Sequence, residues 1–287
     1  MEEEKILSGK LVSSKIKEDL KAEVDKLKEK GIAPKLAVIM VGDDPASSVY
    51  VKNKSKACMQ VGVEFEEFLL GENTSEKELL ELIDKLNEDK SIHGILLQSP
   101  IPKHLDQNKA FQRISAKKDV DGFHPMNVGN LCIGNDCFIS CTPFGVMKIL
   151  EYYHIDIEGK NAVVLGRSNI VGKPMAQCLL SKNATVTICH SKTQNLKEIT
   201  KKADILIAAI GKPKFVTVDF VKDGAVVIDV GINRQEGTKK ICGDVDFENV
   251  ISKVSKITPV PGGVGPMTIA MLLHNVVKAA KQQNGFN

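Results

Sequence analysis

The chain has 287 residues, enough for one large domain or for two of ordinary size, each with its own core. A net charge of +3, with 43% hydrophobic and 26% charged residues, is typical of a globular protein and predicts neither a nucleic acid nor an anionic membrane as partner. No apolar run approaches the roughly 20 residues that span a bilayer. The opening MEEEK lacks the pattern of a signal peptide, so we expect a cytoplasmic protein.

The first half of the chain alternates helical and strand patterns. Residues 8–30 have apolar side chains at helical spacing and end at Gly31, and the run LAVIMVG at 36–42 is typical of a buried strand. DDP at 43–45 predicts the start of a helix that runs to about Gly62. A strand, a helix and a strand are then predicted at VEFEEFLL (63–70), at 75–90 and at HGILLQ (93–98).

A second set of units begins near residue 141, where CTPFGVMKILEYY (141–153) predicts a linking helix. Four short apolar runs follow, separated by helical patterns, and the chain closes with a helix from Met267 to about Gln283. The runs are NAVVLG (161–166), ATVTICH (184–190), DILIAAIG (204–211) and AVVIDVG (225–231). Buried strands spaced in this way predict a parallel sheet with helices on both faces, so the sequence indicates an α/β protein of two domains.

The seven cysteines give no sign of a disulfide framework, because their number is odd and they are widely scattered. Their one cluster consists of Cys132, Cys137 and Cys141, and its spacing matches no common zinc pattern. We therefore expect free thiols and no bound metal.

A glycine turn, GRSNIVGKP (166–174), joins the strand NAVVLG to a helical pattern. Turns of this kind bind a pyrophosphate through backbone N–H groups and the helix dipole. The spacing differs from the usual GxGxxG pattern because Ser168 stands where the second glycine would be. A plain turn between a strand and a helix therefore remains an alternative.

The end of the next strand, CHSKT (189–193), contains no carboxylate. Folds that prefer NAD usually carry Asp or Glu there, where it binds the ribose hydroxyls. A neutral-to-basic strand end facing a loop that contains Arg167 suits a 2′-phosphate instead. We therefore predict NADP as the cofactor.

Tyr50 and Lys54 are four residues apart on a predicted helix and so share one face. By themselves they are more typical of a partly buried tyrosine and a surface lysine. A free lysine, with a pKa near 10.4, is neutral only to about 0.04% at pH 7. A role in proton transfer would require a site that lowers this pKa through burial and nearby positive charge.

Nine segments, in order and over nearly the whole chain, resemble the bifunctional methylenetetrahydrofolate dehydrogenase/methenyltetrahydrofolate cyclohydrolases. The chain departs from this family at Ser99, which replaces the apolar residue that usually follows the glutamine. The segments are VGDDPASSVYVKNKSKAC (41–58), GILLQSPIP (94–102), KDVDGFHPMNVG (118–129), CTPFGVM (141–147), GRSNIVGKP (166–174), CHSKT (189–193), DVGINR (229–234), GDVDF (243–247) and PVPGGVGPMT (259–268).

The resemblance implies an enzyme with two activities. It would oxidise 5,10-methylenetetrahydrofolate to the 5,10-methenyl form with NADP, and hydrolyse that product to 10-formyltetrahydrofolate. Residues 1–140 would form a catalytic, folate-binding α/β domain, completed by a returning helix at 267–287. Residues 141–266 would form a Rossmann-type NADP-binding domain, with a cleft between the two domains. A homodimer through the Rossmann domain is implied as well.

The resemblance also implies roles for individual residues. Lys54 would handle the proton in the hydrolysis, and Gln98 at the end of HGILLQ would orient it. Asp121 would bind the amino group and ring N–H of the pterin, while Tyr50 stacks on the aminobenzoate ring. His124 is interpreted as structural, because hydride transfer needs no base. The expected catalytic residues are thus Tyr50, Lys54, Gln98 and Asp121.

The remaining expected contacts divide between substrate and cofactor. Asp-Gly pairs, such as Asp121–Gly122, are common in turns. We expect Asp119, two residues earlier, only to help form this turn. Besides the catalytic residues, the expected substrate contacts are Leu97, Ser99, Pro261, Gly262, Gly263, Val264 and Gly265. The expected cofactor contacts are Gly166, Arg167, Ser168, Ser191 and Ile232.

Two other functions are open at this point. One is a different two-domain NADP dehydrogenase, such as a shikimate-type oxidoreductase, which can also use a lysine–aspartate pair. The combination of YxxxK, LQSP and PGGVGP argues against it. The other is a nucleotide-binding sensor that has lost catalysis, and the intact set of Lys54, Gln98 and Asp121 argues against that.

Overall fold

Two parallel β-sheets organise the part of the chain that the structure describes. This structure is a computed structural model, and it describes residues 3–234 and 240–286. The chain divides into two units, each built from two separate stretches. The three-stranded unit contains Lys15–Ile139 and the residues from Ile269 onward. The five-stranded unit contains the residues up to Ser14 and Ser140–Thr268.

The three-stranded sheet has the order β2-β1-β3, and its strands are parallel. β1 (Lys35–Val41) lies between β2 (Glu64–Leu70) and β3 (Gly94–Leu97). β1 is buried from its second residue to its last, as is typical of a central parallel strand. The helices that lie wholly within this unit are α2 (Pro45–Val61), α3 (Glu76–Glu88), α4 (Gln107–Arg113) and α5 (Pro125–Ile133).

The core of this unit forms where α3 packs on the sheet. Ser75 caps α3 in a capping box, in which its hydroxyl accepts from the N–H of Glu78 and the Glu78 carboxylate accepts from the N–H of Ser75. The buried side chains of α3 recur at helical spacing and join those of β1 and β3 in one cluster. They are Leu79, Ile83 and Leu86.

The five-stranded sheet has the order β10-β7-β6-β4-β5, again all parallel. The chain order reverses at β4, which has β5 on one side and β6 on the other. In open α/β sheets, ligands bind at the carboxyl ends of the strands beside such a reversal. The strands are β4 (Asn161–Leu165), β5 (Thr185–Cys189), β6 (Ile205–Ala208), β7 (Val226–Asp229) and β10 (Lys256–Ile257).

Shorter elements complete the five-stranded unit. A two-stranded antiparallel pair, β8 (Asn233–Arg234) and β9 (Ile241–Cys242), follows β7. The helices of this unit are α6 (Cys141–Tyr152), α7 (Gly172–Leu180), α8 (Leu196–Thr200) and α9 (Phe247–Val250). Two longer helices, α1 (Gly9–Glu29) and α10 (Val264–Gln283), contribute residues to both units.

The residues before Ser14 group with the five-stranded unit, whereas the sequence analysis placed them in the catalytic domain. The reason is a set of hydrogen bonds with β10 and its surroundings. Leu7 N–H donates to the Ile257 carbonyl at 2.8 Å, and Lys5 Nζ donates to the Ile251 carbonyl at 3.0 Å. The assignment of a ligand to each unit stays a prediction.

The predicted α/β architecture with two domains is confirmed, and most predicted elements lie within a few residues of their expected bounds. The last helix begins at Val264 instead of Met267. The sequence analysis did not identify α4, α5 or the two-residue strand β10. Among the helices of the described residues, none combines the length and apolar character needed to cross a membrane.

Candidate active site

Helix α2 presents Tyr50 and Lys54 on one face of the three-stranded unit. The Asp44 side chain caps this helix by accepting from Ser47 N–H at 2.7 Å, and Gly62 ends it in the left-handed conformation. The Tyr50 side chain is 50% exposed, so its ring is available to a ligand.

The Lys54 Nζ atom donates a hydrogen bond of 2.7 Å to the Gln98 Oε1 atom. Gln98 follows β3 and is buried, and its N–H donates to the Ile39 carbonyl of β1 at 2.8 Å. The Gln98 Nε2 atom donates to the Ser99 carbonyl at 2.6 Å. Because its nitrogen is engaged there, the amide keeps its oxygen toward Lys54. The structure therefore brings these two predicted residues together, and their catalytic roles stay predictions.

Cys58 lies one turn after Lys54 on α2 and is fully buried. Burial raises the pKa of its thiol to about 12, although the charge of Lys54 acts in the opposite direction. The thiol is therefore neutral at physiological pH. It adds no negative charge beside Lys54 that would stabilise the ammonium form.

The loop that carries Asp121 is held by the buried carboxylate of Asp119. Asp119 Oδ1 accepts from Phe123 N–H at 3.2 Å, and Oδ2 accepts from His124 N–H and Asn127 Nδ2, both at 2.8 Å. Burial raises the pKa of this carboxyl, while its three donors lower it. Asp119 therefore does more than the simple turn formation predicted for it, because it ties together the backbone on the far side of Asp121.

Two further polar groups anchor the same loop. Lys118 Nζ donates to the Leu86 and Asp89 carbonyls at the end of α3, and burial lowers the pKa of this amine. Asn275 of α10 donates to the Val120 carbonyl at 2.8 Å. His124 caps α5, where its Nδ1 accepts from Met126 N–H at 3.0 Å, as a structural residue would. No sequence pattern pointed to this network, because its members are distant along the chain.

The glycine turn after β4 has the close backbone approach that a pyrophosphate-binding loop requires. Gly166 has a φ of 118°, and a Cβ there would collide with the Ala209 carbonyl oxygen. A Cβ on Gly172 would collide with the carbonyl oxygen of Gly166. Ser168 Oγ accepts from the N–H groups of Val171 and Gly172 at 3.1 and 3.3 Å, so it organises the start of α7. These features fit a dinucleotide.

The predicted 2′-phosphate residues follow the ends of two paired strands, β4 and β5. Gly166 N–H donates to the Cys189 carbonyl at 2.9 Å, so Arg167 and Ser191 each lie within two residues of this joint. The turn that carries Ser191 is closed by His190 N–H, which donates to Thr193 Oγ1 at 2.8 Å.

Ile232 lies next to the predicted folate-facing loop. It is 52% exposed, and a Cβ on Gly265 would be 3.7 Å from its Cδ1 atom. Gly262 in this loop has a φ of 103°, and Gly263 packs so closely that a Cβ would be 2.5 Å from the Pro259 carbonyl oxygen. A predicted cofactor residue and a predicted substrate loop therefore adjoin within the five-stranded unit.

The other predicted substrate residues differ in exposure. Ser99 and Pro261 are exposed, whereas the side chains of Leu97 and Val264 are buried at 2% and 3% exposure. All seven cysteines are free thiols. Within residues 3–234 and 240–286, no three side chains of the metal-ligating kinds are arranged to hold an ion.

Two family descriptions match this chain. "Tetrahydrofolate dehydrogenase/cyclohydrolase, catalytic domain" matches residues 7–121, and "Tetrahydrofolate dehydrogenase/cyclohydrolase, NAD(P)-binding domain" matches residues 140–284. A curated relative, "Bifunctional protein FolD" of Acetivibrio thermocellus, is 59% identical over 281 residues, which cover 98% of each chain.

Solved structures of bifunctional enzymes resemble the fold over nearly its whole length. FolD methylenetetrahydrofolate dehydrogenase/cyclohydrolase of Campylobacter jejuni has a TM-score of 0.95 at 55% identity, covering 96% of this chain and 98% of that one. The Trypanosoma brucei enzyme, solved with NADP cofactor and an inhibitor, has a TM-score of 0.92 at 36% identity, with coverages of 96% and 97%.

Shikimate dehydrogenase of Thermus thermophilus has a TM-score of 0.51 at 14% identity, covering 86% of this chain and 99% of that one. This likeness shows a shared fold and no more.

Proposed function

Because this chain belongs to the tetrahydrofolate dehydrogenase/cyclohydrolase family, we propose how its two reactions are divided among its residues. The enzyme oxidises 5,10-methylenetetrahydrofolate to 5,10-methenyltetrahydrofolate with NADP, and hydrolyses that product to 10-formyltetrahydrofolate. The observation that carries the assignment is the hydrogen bond of 2.7 Å between Lys54 and Gln98, in a chain that matches both domains of the family.

We assign NADP to the five-stranded unit. NADP, when bound, accepts a hydride from the methylene carbon of the substrate. Gly166, Arg167 and Ser168 form the loop that would hold its pyrophosphate, and Arg167 with Ser191 would bind the 2′-phosphate. Ile232 would pack on the nicotinamide side. No base is required of the protein, because the substrate nitrogens stabilise the cation that remains.

We assign the hydrolysis to Lys54 and Gln98. The oxygen of water forms a bond to the methenyl carbon, and the proton that water loses passes to the Lys54 amine. The bond between that carbon and N5 then breaks as the hydroxyl proton moves to N5, which leaves the formyl group on N10. Lys54 finally releases its proton to solvent. Gln98 holds the Lys54 amine with a neutral oxygen, which does not favour the ammonium form as a carboxylate would.

We assign substrate recognition to Asp121 and Tyr50. The two carboxylate oxygens of Asp121 match the two donors of a pterin, its amino group and a ring N–H. The exposed ring of Tyr50 offers a stacking surface to the aminobenzoate. Leu97, Ser99 and the loop from Pro261 to Gly265 complete the proposed set of substrate contacts.

We also propose a cytoplasmic homodimer that forms through the five-stranded unit. β5 is an edge strand of that sheet, and edge strands offer unpaired backbone groups to a second chain. Exposed apolar side chains accompany this edge, with Ile188 at 39% and Leu180 at 56% exposure. The free thiols are in keeping with a reducing compartment.

The test of the two activities is one incubation with methylenetetrahydrofolate and NADP⁺, with NADPH and methenyl absorbance followed together. We expect NADPH to form while the methenyl compound stays below it in concentration, because hydrolysis removes it. Equal accumulation of both would show that the hydrolase is absent. Parallel incubations with NAD⁺, and with shikimate and NADP⁺, are expected to give little or no reduced cofactor.

A further inference from the structure

Asp229, the last residue of β7, joins three segments of the five-stranded unit. The residue is buried, with only 3% of its surface exposed. Oδ1 accepts from the N–H groups of Gly231 and Asp244, and Oδ2 accepts from Val245 N–H, all at 2.9 Å. Its own N–H donates to Thr258 Oγ1 at 2.7 Å. The carboxylate therefore fixes the segment at 244–245 against the end of β7.

Asp244 in turn fixes the segment that follows β6. Its side chain is fully buried and accepts from three consecutive backbone N–H groups. Ile210 N–H is at 2.7 Å, Gly211 N–H at 3.0 Å and Lys212 N–H at 2.9 Å. Asn233 Nδ2 adds a fourth bond at 2.9 Å.

Two glycines make this arrangement possible. A Cβ on Gly243 would collide with the Asp229 carboxylate, and a Cβ on Gly231 would collide with the Asp244 carboxylate. The Asp229 carboxylate therefore occupies the space that a side chain at position 243 would need. The Asp244 carboxylate likewise occupies the space that a side chain at position 231 would need. We call these four residues, Asp229, Gly231, Gly243 and Asp244, the interlock.

The interlock controls the shape of the sheet edge where a dinucleotide would bind. β6 and β7 are parallel neighbours, with Ala208 opposite Asp229. The segments that follow them therefore both begin at the carboxyl-end edge of the sheet. Ile232 lies between Gly231, whose N–H bonds to Asp229, and Asn233, whose side chain bonds to Asp244. Both neighbours of Ile232 are thus tied to a buried carboxylate, Gly231 through its backbone N–H and Asn233 through its side-chain amide.

The closeness of the Asp229 and Asp244 side chains does not by itself stabilise the fold, and neither does the burial of the two carboxyl groups. Buried charges destabilise a fold unless their hydrogen bonds are satisfied, and apolar residues of similar size are often as stable. The two carboxylates accept their hydrogen bonds from backbone N–H groups and from the Asn233 side-chain amide. The arrangement therefore specifies the conformation of two loops, which apolar packing would not do.

We infer that Asp229 and Asp244 are positioning residues for hydride transfer, which hold Ile232 and the segment Ile210–Lys212 in the shape that receives the nicotinamide half of NADP. This inference rests on the proposed assignment of NADP to the five-stranded unit. Hydride transfer is sensitive to such placement, since a displacement of about 1 Å can reduce a rate by roughly 100-fold.

The test is Asp244→Asn, compared with Asp246→Asn as a matched control. The variant turns an amide nitrogen toward N–H groups that need an acceptor. We expect the dehydrogenase kcat/KM for NADP to fall roughly 10–100-fold. Hydrolysis of methenyltetrahydrofolate, assayed without NADP, should stay within about twofold of wild type. Asp246 accepts from Asn249 at 2.6 Å outside the interlock, so Asp246→Asn should leave both activities unchanged.

An isotope effect separates positioning from a loss of active protein. With substrate deuterated at the methylene carbon, slower hydride transfer in Asp244→Asn should raise the isotope effect on kcat above the wild-type value. A smaller fraction of folded enzyme would leave this effect unchanged. Equal losses in both activities, or an unchanged dehydrogenase, would overturn the inference.

Two further outcomes are distinguishable. A wild-type enzyme that does not reduce NADP⁺ at all would refute the proposed function, before any variant is compared. Should Asp244→Asn fail to fold, Asn233→Ala removes only one of the four bonds to Asp244. This variant is expected to lower dehydrogenase activity several-fold and to leave cyclohydrolase activity unchanged. A loss shared equally by the two activities would again contradict the inference.

Discussion

Lys54 donates a hydrogen bond to a neutral partner, the Gln98 amide oxygen, at 2.7 Å. The Gln98 amide fixes the position of the amine without adding a negative charge, and the neighbouring Cys58 thiol is neutral. A carboxylate at either place would favour the ammonium form, which cannot accept a proton. This arrangement supports the role in proton transfer that we propose for Lys54.

Lys54→Met is expected to lower cyclohydrolase activity by about 100-fold or more, since general acid–base groups contribute roughly 10²–10⁴-fold. The dehydrogenase should fall far less, because hydride transfer requires no proton acceptor. The rate of methenyltetrahydrofolate hydrolysis is the measurement. Lys52→Met changes an exposed lysine of the same helix and should leave that rate unchanged. Near wild-type hydrolysis in Lys54→Met would show that another group moves the proton.

Arg167→Ala is expected to lower kcat/KM for NADP roughly 10–100-fold. A hydrogen bond to a charged group is worth about 1.5–3 kcal/mol, and an arginine–phosphate contact can be bidentate. NAD has no 2′-phosphate, so its efficiency should change much less. The ratio of the two efficiencies is therefore the quantity to measure, with Lys182→Ala as a control for loss of charge in the same unit. Equal losses for both cofactors would limit Arg167 to shaping the pyrophosphate loop.

At the scale of elements, the loop between α4 and α5 depends on Asp119. Asp119→Asn keeps one acceptor oxygen but turns an NH₂ group toward a backbone donor. A buried donor without a partner costs about 1–3 kcal/mol. We expect the KM for folate to rise roughly 10-fold in both activities, with the Kd for NADP unchanged, because Asp121 is displaced.

A matched control is Asp106→Asn, which alters another carboxylate that accepts backbone N–H groups, at the start of α4. It should not change folate affinity. In an Asp121→Ala background, Asp119→Asn should add little further loss, because both changes act through the same contact. An Asp119→Asn enzyme with wild-type folate KM would rule out this positioning role.

The central elements could be predicted from sequence because buried parallel strands are continuous apolar runs of four to seven residues. β10 escaped detection because it has two residues, Lys256 and Ile257, and is defined by its pairing with β7. The grouping of Leu7 with Ile257 depends on a contact between the two ends of the chain. No local pattern contains that information.

In the candidate site, too, local features could be predicted from the sequence, whereas contacts between distant residues could not. Tyr50 and Lys54 share a helical face by spacing alone, whereas the approach of Gln98 to Lys54 requires the sheet to place the end of β3 beside α2. The interlock was not predicted, although its residues lie in two of the family's segments. Asp229 and Asp244 are brought together by strand order, and only the collision of an added Cβ reveals why Gly231 and Gly243 accompany them.

For the whole molecule, pH acts on stability through Asp229. Burial, with the nearby charge of Asp244, raises the pKa of Asp229 to about 6, while its three N–H donors oppose the shift. The folded pKa lies above the ordinary value of 3.8, so folding favours the protonated form. That contribution to the free energy of unfolding is fully present below the ordinary pKa, and is lost as the pH rises through the folded pKa.

The loss amounts to about 3 kcal/mol between pH 3.8 and 6, at 1.36 kcal/mol for each pH unit. Asp229→Asn does not titrate. The stability deficit of this variant relative to wild type should therefore shrink as the pH rises from 4.5 to 7. Urea unfolding of both proteins at several pH values measures it. A deficit that is constant with pH would mean that Asp229 keeps its ordinary pKa in the folded protein.

The proposed homodimer is tested at the edge of the five-stranded sheet. Ile188→Lys places a charge on β5, where it would have to be buried by a second chain, so we expect the dimer to dissociate into monomers. Sedimentation at micromolar protein concentration is the measurement. Val218→Lys puts the same charge on another exposed apolar position of that unit and should preserve the dimer. A wild-type protein that sediments as a monomer would contradict the proposed homodimer.

The discontinuity of both units has a consequence for synthesis on the ribosome. Asn275, which holds the loop of Asp121 through the Val120 carbonyl, belongs to the stretch after Ile269. That stretch is translated only after the whole of Ser140–Thr268 has been made. The loop that carries Asp121 therefore cannot gain its hydrogen bond from Asn275 until the main stretch of the five-stranded unit has been synthesised. No single break in the chain would leave each unit with all of its residues on one piece, so a gene split at one point would divide at least one unit between two products.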